Sequence, residues 1–241
     1  MIERQAAATI GEIVATDFRA AAVFERFGID FCCGGRRGLE EACRTAAADP
    51  VDVARALEAL PPVAEGEADV TQWRLDRLID HIVSTHHEYV RAAMPTIRHY
   101  LAKLVEVHGA RHPELARIAA CFDTVIRDLG QHMVKEEQVL FPYIRELTMT
   151  TVGGRHFRSP FGTVENPIRM MEREHREAAD ELRIIRELTH GYVTPDDGCT
   201  TYAVCMAELR QFERDLHRHV HLENNVLFPK AVALENGYQT S

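Results

Sequence analysis

The features of a membrane, nucleic-acid-binding or secreted protein are missing from this sequence. No apolar run approaches the roughly 18 residues that a membrane-spanning helix needs. The N-terminal residues have no apolar core of signal-peptide length, so we expect a cytoplasmic protein. The formal net charge is −9, and lysine and arginine form no block. Nucleic acid and anionic membranes are therefore not expected partners.

Aromatic residues and clustered cysteines are also scarce. Only 7% of the 241 residues are aromatic, and alternating β-branched residues are rare, which favours helices over strands. Of the six cysteines, only Cys32 and Cys33 are adjacent, and this is not the framework of a small secreted domain. The others have no metal-ligand spacing and are interpreted as structural: Cys43, Cys121, Cys199 and Cys205.

The most informative feature that is present is a motif that occurs twice. Residues 132–142 and 219–229 both read H-x-x-x-E-x-x-V-L-F-P. The two histidines and the two glutamates are each 87 positions apart (219 − 132 and 223 − 136), which indicates one structural unit used twice. On an α-helix, residues four positions apart lie on one face, so each copy directs an imidazole and a carboxylate to the same place.

Both copies continue the apolar stripe of a helix. Apolar residues before each motif recur in alternating steps of four and three, and this rhythm includes His132 and Glu136 in one copy and His219 and Glu223 in the other. A single H-x-x-x-E is usually a solvated surface pair. Two copies in core positions indicate something else, because a buried ionised carboxylate without a partner costs several kcal/mol. The pattern predicts a cation between the two pairs.

Three breaks in the helical pattern define the C-terminal part of the chain. They lie at Gly109–Pro113, Thr148–Thr163 and Gly191–Gly198, so four long helices are predicted. The fold class is therefore all-α: a small N-terminal helical domain over residues 1–62, a proline- and glycine-containing linker over residues 61–69, and an antiparallel four-helix bundle over residues 71–241.

The first and third helices each offer a histidine to the same core. Apolar residues in the third helix recur in steps of four and three that include His175, and those in the first helix recur in steps that include His87. His86, the neighbour of His87, also fits an apolar stripe. His175 precedes His219 by 44 residues, whereas His87 precedes His132 by 45 and His86 precedes it by 46. This half-repeat favours His87 and leaves His86 open, since loop lengths differ.

Four histidines and two glutamates are the ligand set of a two-metal site. Each ion would take two imidazoles, both carboxylates would bridge, and one exogenous oxo or hydroxo bridge would leave an open position for a small molecule. These ligands exclude a soft thiolate site and disfavour calcium and magnesium. His81 and Glu174 are expected to orient a ligand or to line an access path. A ferritin-type site needs Glu-x-x-His motifs on two helices. Glu172 to His175 is such a motif on the third helix, and the first, second and fourth predicted helices contain none.

The N-terminal part begins with capping-box spacing from Thr9 to Glu12 and a helical pattern that runs to Gly28. Short helices are predicted near Leu39–Ala47 and over residues 52–60. The turn that contains Cys32-Cys33-Gly34-Gly35 lies between Gly28 and the first of these short helices. Adjacent cysteines rarely form a disulfide with each other. They are either thiols that bind a soft metal or exchange with a partner thiol, or small buried hydrophobic residues, and both interpretations stay open.

These motifs together resemble the hemerythrin-like di-iron proteins that repair iron–sulfur clusters. Members of that family combine an N-terminal Cys-Cys-Gly-Gly domain with a hemerythrin-like bundle. The matching stretches are residues 30–35, residues 78–83 with His87, residues 132–142, residues 171–175 and residues 219–229. The resemblance implies two non-haem iron ions held by His87, His132, Glu136, His175, His219 and Glu223, with the two glutamates as bridges. It also implies Cys32 and Cys33 as functional thiols.

The function that the resemblance implies is the restoration of clusters damaged by nitric oxide or peroxide, through donated iron. Damaged iron–sulfur proteins are then the partners, nitric oxide or oxygen would bind at the di-iron site, and the chain could form a homodimer. No catalytic residue is assigned. A di-iron enzyme that reduces nitric oxide or peroxide and a sensor of oxygen or nitric oxide are the alternatives, and the sequence does not rank them, because all three functions need the same open site.

The chain departs from the oxygen-carrying hemerythrins at two positions. Those proteins have His-x-x-x-His in the third helix, whereas Met171 and Ala179 flank His175 here. They end with His-x-x-x-x-Asp, whereas Glu223 stands at the fourth position after His219 here. Fewer imidazoles should hold iron less firmly, which favours iron donation over reversible oxygen storage.

Overall fold

The computed structural model describes residues 8–60, 69–150 and 161–239. Within these ranges every regular element is helical, and a single isolated bridge pairs Thr9 with Gly38. The all-α fold class is thus confirmed. The predicted linker lies outside the described residues except for Asp69. No described helix combines the length and the apolar character needed to cross a membrane.

The described chain contains eleven α-helices, three π-helical segments and one 3-10 turn. In chain order they are α1 (Ile10–Thr16), α2 (Ala20–Arg26), α3 (Leu39–Thr45), α4 (Pro50–Glu58), the 3-10 turn (Val70–Gln72), α5 (Leu75–His81), π1 (Ile82–His87), α6 (Glu88–His108), α7 (Glu114–Lys135), π2 (Glu136–Leu140), α8 (Phe141–Thr150), α9 (Glu165–Leu188), α10 (Thr200–Leu222), π3 (Glu223–Leu227) and α11 (Phe228–Gln239).

The chain forms two compact units. The first unit combines Met1–Ile79 with Arg218–Ser241, and the second unit comprises Asp80–His217. Each unit is considered by itself below. The division into domains over residues 1–62 and 71–241 stays a prediction.

The first unit begins with the predicted capping box. The Thr9 hydroxyl accepts a hydrogen bond from the Glu12 amide, and the Glu12 carboxylate accepts one from the Thr9 amide. The single helix predicted to run to Gly28 is wrong, because the chain is extended at Asp17 (φ −144°, ψ 100°). The Asp17 carboxylate there accepts a hydrogen bond from the Arg19 amide at 3.0 Å, so an aspartate ends α1 and leads into α2. Gly28, with φ +66°, ends α2 as expected.

The core of the first unit lies under the Cys-Cys-Gly-Gly turn. Ile10, Phe24 and Val53 have no exposed surface, and the Phe31 ring stacks on Phe24 with centroids 6.4 Å apart. The predicted short helices correspond to α3 and α4. The ring of His221, from the C-terminal part of this unit, lies 5.8 Å from that of Phe31. Residues far apart in sequence therefore share this core.

The second unit consists largely of four long helices. Arg98 pairs with Asp123 across α6 and α7, and Phe122 and Phe212 join α7 to α10 with edge-to-face rings 5.3 Å apart. His108, at the end of α6, contacts Tyr202 near the start of α10. The helices therefore pack as an antiparallel bundle, and their ends agree with the three predicted breaks as far as the described residues extend.

Candidate metal centre

The first copy of the motif brings an imidazole and a carboxylate together at the end of α7. Nε2 of His132 lies 3.2 Å from Oε2 of Glu136, and it lies 2.9 Å from Nε2 of His175 on α9. All three side chains are at most 1% exposed. This follows from the steps of four and three that direct them into the core.

His87 completes this group from the first helix of the bundle. Its Nε2 lies 3.5 Å from Oε2 of Glu136, and its Nδ1 hydrogen bonds with Oε1 of Glu137 at 2.6 Å. Arg91 also contacts Glu137, at 2.5 Å. Burial raises the pKa of Glu137, but the hydrogen bonds from His87 and Arg91 outweigh that effect and lower it below its usual value. An ionised carboxylate therefore fixes the orientation of the His87 ring.

Glu174 has the same relation to His132. Its Oε2 hydrogen bonds with Nδ1 of His132 at 2.9 Å, and its other oxygen pairs with Lys135. The hydrogen bond to His132 lowers the pKa of Glu174 to about 2, so the carboxylate is ionised at neutral pH. With Nδ1 facing an anion, the proton of His132 belongs on Nδ1 and Nε2 presents a lone pair, as a metal-ligating histidine requires.

The second copy of the motif repeats the local geometry within the first unit. Nε2 of His219 lies 3.1 Å from Oε1 of Glu223, and both side chains are fully buried. The same spacing on the same kind of helix thus yields the same imidazole and carboxylate pair.

A π-helical turn accompanies both copies of the motif. The amide of Phe141 donates to the carbonyl of Glu136, and the amide of Phe228 donates to that of Glu223, so each bond spans five residues instead of four. The proline that follows in each motif has no N–H to continue the regular ladder. A third π segment, π1, ends at His87. Such single turns are frequent at functional sites.

The measured separations fit a metal site. The ligand-atom distances given above fall between 2.9 and 3.5 Å. Two ligands about 2.1 Å from an ion and in neighbouring octahedral positions lie roughly 3.0 Å apart. Within the second unit, His132, Glu136 and His175 present ligand atoms that all lie within 4.8 Å of one another and could hold a metal ion. Within the first unit, His219 and Glu223 form the buried pair described above.

Two family profiles match the chain. The profile described as "Hemerythrin HHE cation binding domain" covers residues 78–231, and ScdA_N, a domain of unknown function, covers residues 6–61. The chain is similar to the "Iron-sulfur cluster repair protein YtfE" of Dickeya chrysanthemi, at 35% identity over 93% of this chain and 96% of the relative. The protein of the same name from an Enterobacter species is 34% identical over 94% and 97%, and that from Yersinia pestis is 31% identical over 93% and 96%. The chain belongs to this family of hemerythrin-type iron–sulfur cluster repair proteins.

The structure also locates His81, which was expected to orient a ligand or to line an access path, and His86, the alternative to His87. His81 shares a hydrogen bond with Thr85 at 3.2 Å, and its ring stands edge-on to that of His86. His86 is 1% exposed and hydrogen bonds through Nδ1 with Asp215 at 2.9 Å. His87, not His86, is the neighbour of Glu136.

Some residues of this site were missed by sequence reasoning. Glu137 and Arg91 orient His87, and Lys135 supports Glu174. Glu137 directly follows a core residue, so its role could not be read from the apolar stripe. The π turns had one visible signal, the Phe-Pro pair that ends both motifs.

The Cys-Cys-Gly-Gly turn lies in the first unit and contacts the second motif. The side-chain amide of Asn225 donates to the carbonyl oxygens of Phe31 and Cys32 at 3.2 and 3.1 Å, and that of Asn224 donates to Cys32 at 3.2 Å. A Cβ atom on Gly35 would lie 2.1 Å from the Asn225 side chain. Gly35 is therefore required for close packing. Cys32 is buried and Cys33 is half-buried.

Proposed function

We propose that this chain repairs damaged iron–sulfur clusters by donating iron from a di-iron centre. Two observations support the proposal: the family match extends over both motifs, and a buried set of imidazoles and carboxylates suits cations. The relatives named above are named as cluster repair proteins, and this chain aligns with nearly their whole length. The proposed partners are damaged iron–sulfur proteins in the cytoplasm.

The ligands of the proposed centre are the six buried residues described above. Glu136 and Glu223 would each bridge both ions, an oxo or hydroxo group would form a third bridge, and the four histidines would complete the ligand set. Their nitrogen and oxygen donors suit iron. When bound, the ions would supply exchangeable iron and an open position for nitric oxide or oxygen.

The side chains around the ligands would orient the imidazoles and fix which ring nitrogen carries the proton. Glu137 and Glu174 keep protons on the Nδ1 atoms of His87 and His132, and each carboxylate also pairs with a cation, Arg91 or Lys135. This arrangement presents Nε2 of both histidines as a lone-pair donor. Complete burial of Glu136 keeps water from competing for its oxygens.

The number of imidazoles supports donation over storage. The proposed set has four histidines, and the position four residues after His175 is Ala179. A small apolar residue there offers no additional ligand, so each iron is held by fewer imidazoles than in an oxygen carrier.

The test is an anaerobic transfer experiment with isotopically labelled iron. The loaded protein is mixed with an apo iron–sulfur enzyme, sulfide and a thiol reductant, and label and activity are measured in the enzyme after separation. We expect both to rise, and His132→Leu to lose the effect. Glu177→Gln, a change of an exposed side chain on α9, is the matched control.

The same mixture distinguishes donation from turnover. If the apo enzyme recovers no better than with an equal amount of free ferrous iron, donation is wrong. If nitric oxide is consumed with many turnovers per iron while no label moves, the reductase alternative replaces it.

A further inference from the structure

A second cluster of metal-ligating side chains lies in the Cys-Cys-Gly-Gly turn of the first unit. The Sγ atoms of Cys32 and Cys33 are 4.0 Å apart, and Sγ of Cys32 lies 3.3 Å from Oδ1 of Asp30. The three ligand atoms lie within 4.8 Å of one another. We propose that Asp30, Cys32 and Cys33 form a separate surface site for one thiophilic divalent cation, such as ferrous iron, zinc or cobalt.

The distances in this cluster suit tetrahedral coordination by sulfur. A tetrahedral ion with metal–sulfur bonds of about 2.3 Å separates its two sulfur ligands by roughly 3.8 Å, close to the observed 4.0 Å. An oxygen ligand at about 2.1 Å would lie roughly 3.6 Å from each sulfur, and the measured value is 3.3 Å for Cys32. Small movements of side chains would therefore complete the site.

The turn holds these ligands in place through its backbone. Oδ1 of Asp30 accepts hydrogen bonds from the amides of Cys32 and Cys33 at 3.1 and 2.9 Å, which directs both cysteines toward one side of the turn. From the other side, the amides of Asn224 and Asn225 hold the carbonyl of Cys32. Preorganised ligands favour metal binding because less conformational entropy is lost.

The site is open on one side. Cys32 is 5% exposed, whereas Cys33 is half-buried and the Asp30 side chain is 47% exposed. Three protein ligands leave one tetrahedral position for an exogenous ligand, as in sites that exchange what they bind. A thiolate of another protein is chemically suited to that position.

Binding involves proton release and no redox step. In the metal-free turn the Cys32 thiol donates a hydrogen bond to Oδ1 of Asp30. A divalent cation would replace that proton and the proton of Cys33, so two thiols and one cation give two metal–sulfur bonds and two released protons. Asp30 would contribute a carboxylate oxygen as the third ligand. The site does not depend on iron donation by the bundle.

Cobalt(II) titration of the iron-loaded protein under anaerobic, reducing conditions tests the site. A bond between thiolate and cobalt produces a near-ultraviolet charge-transfer band, and cobalt held by the imidazoles and carboxylates of the bundle would not. We expect one equivalent to produce the band, with two protons released per cobalt. X-ray absorption should show sulfur at about 2.3 Å.

Variants identify the ligands. Cys33→Ser should lose the band. Asp30→Asn keeps an oxygen that can accept the backbone hydrogen bonds, and it should weaken binding by about tenfold through loss of charge. Cys199→Ser, which changes an exposed cysteine of the second unit, is the matched control and should leave the band unchanged.

Three outcomes would overturn the proposal. These are a wild-type protein without the band, a band that survives in Cys33→Ser, and a band that disappears in Cys199→Ser. Because all three are read from cobalt bound to thiolate, they are independent of whether the bundle donates iron. An intact transfer activity combined with no band would retain the proposed function and reject this site.

Discussion

Glu174 offers a sharp test of the metal centre, because it contacts a proposed ligand without being one. Its carboxylate hydrogen bonds with Nδ1 of His132 at 2.9 Å and also pairs with Lys135. Glu174→Gln keeps the size of the side chain. The glutamine retains a carbonyl oxygen that can accept a hydrogen bond from His132. Near Lys135, however, an amide NH2 group replaces the carboxylate oxygen, and the ammonium group of Lys135 cannot accept a hydrogen bond from it. We therefore expect a weaker metal site.

The size of the effect follows from the charge that is lost. The hydrogen bond to His132 lowers the pKa of Glu174 to about 2, so a full negative charge is present at neutral pH. Loss of a carboxylate that supports a metal-bound histidine typically reduces metal affinity about 10- to 100-fold, which corresponds to roughly 1.4–2.8 kcal/mol. We expect the ferrous iron affinity of Glu174→Gln to fall within that range.

The measurement is an anaerobic competition titration against a chromophoric chelator. Glu177→Gln is the control, since Glu177 is exposed on the same helix and pairs with Arg173 at 3.6 Å. The reasoning would be refuted by an unchanged affinity in Glu174→Gln, or by an equal loss in Glu177→Gln. Melting of the metal-free variants separates the explanations: a purely structural role for Glu174 would lower the melting temperature without iron as well.

Three further predictions concern the ligands. Chelated protein should melt below the loaded form, because a ligand that binds only the native state stabilises it, by about 2.7 kcal/mol at a hundredfold excess over Kd; equal melting temperatures in calorimetry would contradict a buried metal bridge. His132→Leu or His219→Leu should lose half of the bound iron or more, and two ions per chain in elemental analysis would remove the ligand assignment. His87→Ala should weaken iron loading while His86→Ala hardly changes it, since His86 pairs with Asp215; the reverse result would mean that the half-repeat spacing is misleading.

The helical register of the site was predictable from the sequence. Apolar residues recur in steps of four and three, which place His132 and Glu136 on the apolar face of one helix. The same spacing places His175 on the apolar face of another helix. All three are almost fully buried in the structure. The prediction succeeds because such a stripe depends on local periodicity alone, which one sequence contains in full.

Other features depend on local backbone detail. The helical pattern before Gly28 is continuous, yet Asp17 interrupts it, because the carboxylate satisfies the amide of Arg19 in an extended conformation. The π turns at Glu136 and Glu223 likewise leave the apolar spacing of the motifs intact. In both cases a hydrogen bond of a particular geometry decides the structure, and residue type restricts that geometry only loosely.

Contacts between residues that are far apart in the chain could not be predicted from one sequence. Asn224 and Cys32 are 192 positions apart, and no periodicity relates them. His221 is fully buried against the ring of Phe31. Burial and the positive charge of Arg218 lower the pKa of His221 to about 3, so a neutral imidazole packs in this core.

The two copies of the motif differ at the positions whose side chains contact different neighbours. Both retain histidine, glutamate and Val-Leu-Phe-Pro, but the first continues Glu136 with Glu137, whereas the second continues Glu223 with Asn224 and Asn225. Glu137 hydrogen bonds with a histidine of the bundle. The two asparagines instead bind backbone carbonyls of the cysteine turn, where a carboxylate could not donate. The shared residues thus form the pair that suits a metal. Of the residues that differ, Glu137 contacts a histidine of the bundle, and the two asparagines contact the backbone of the cysteine turn.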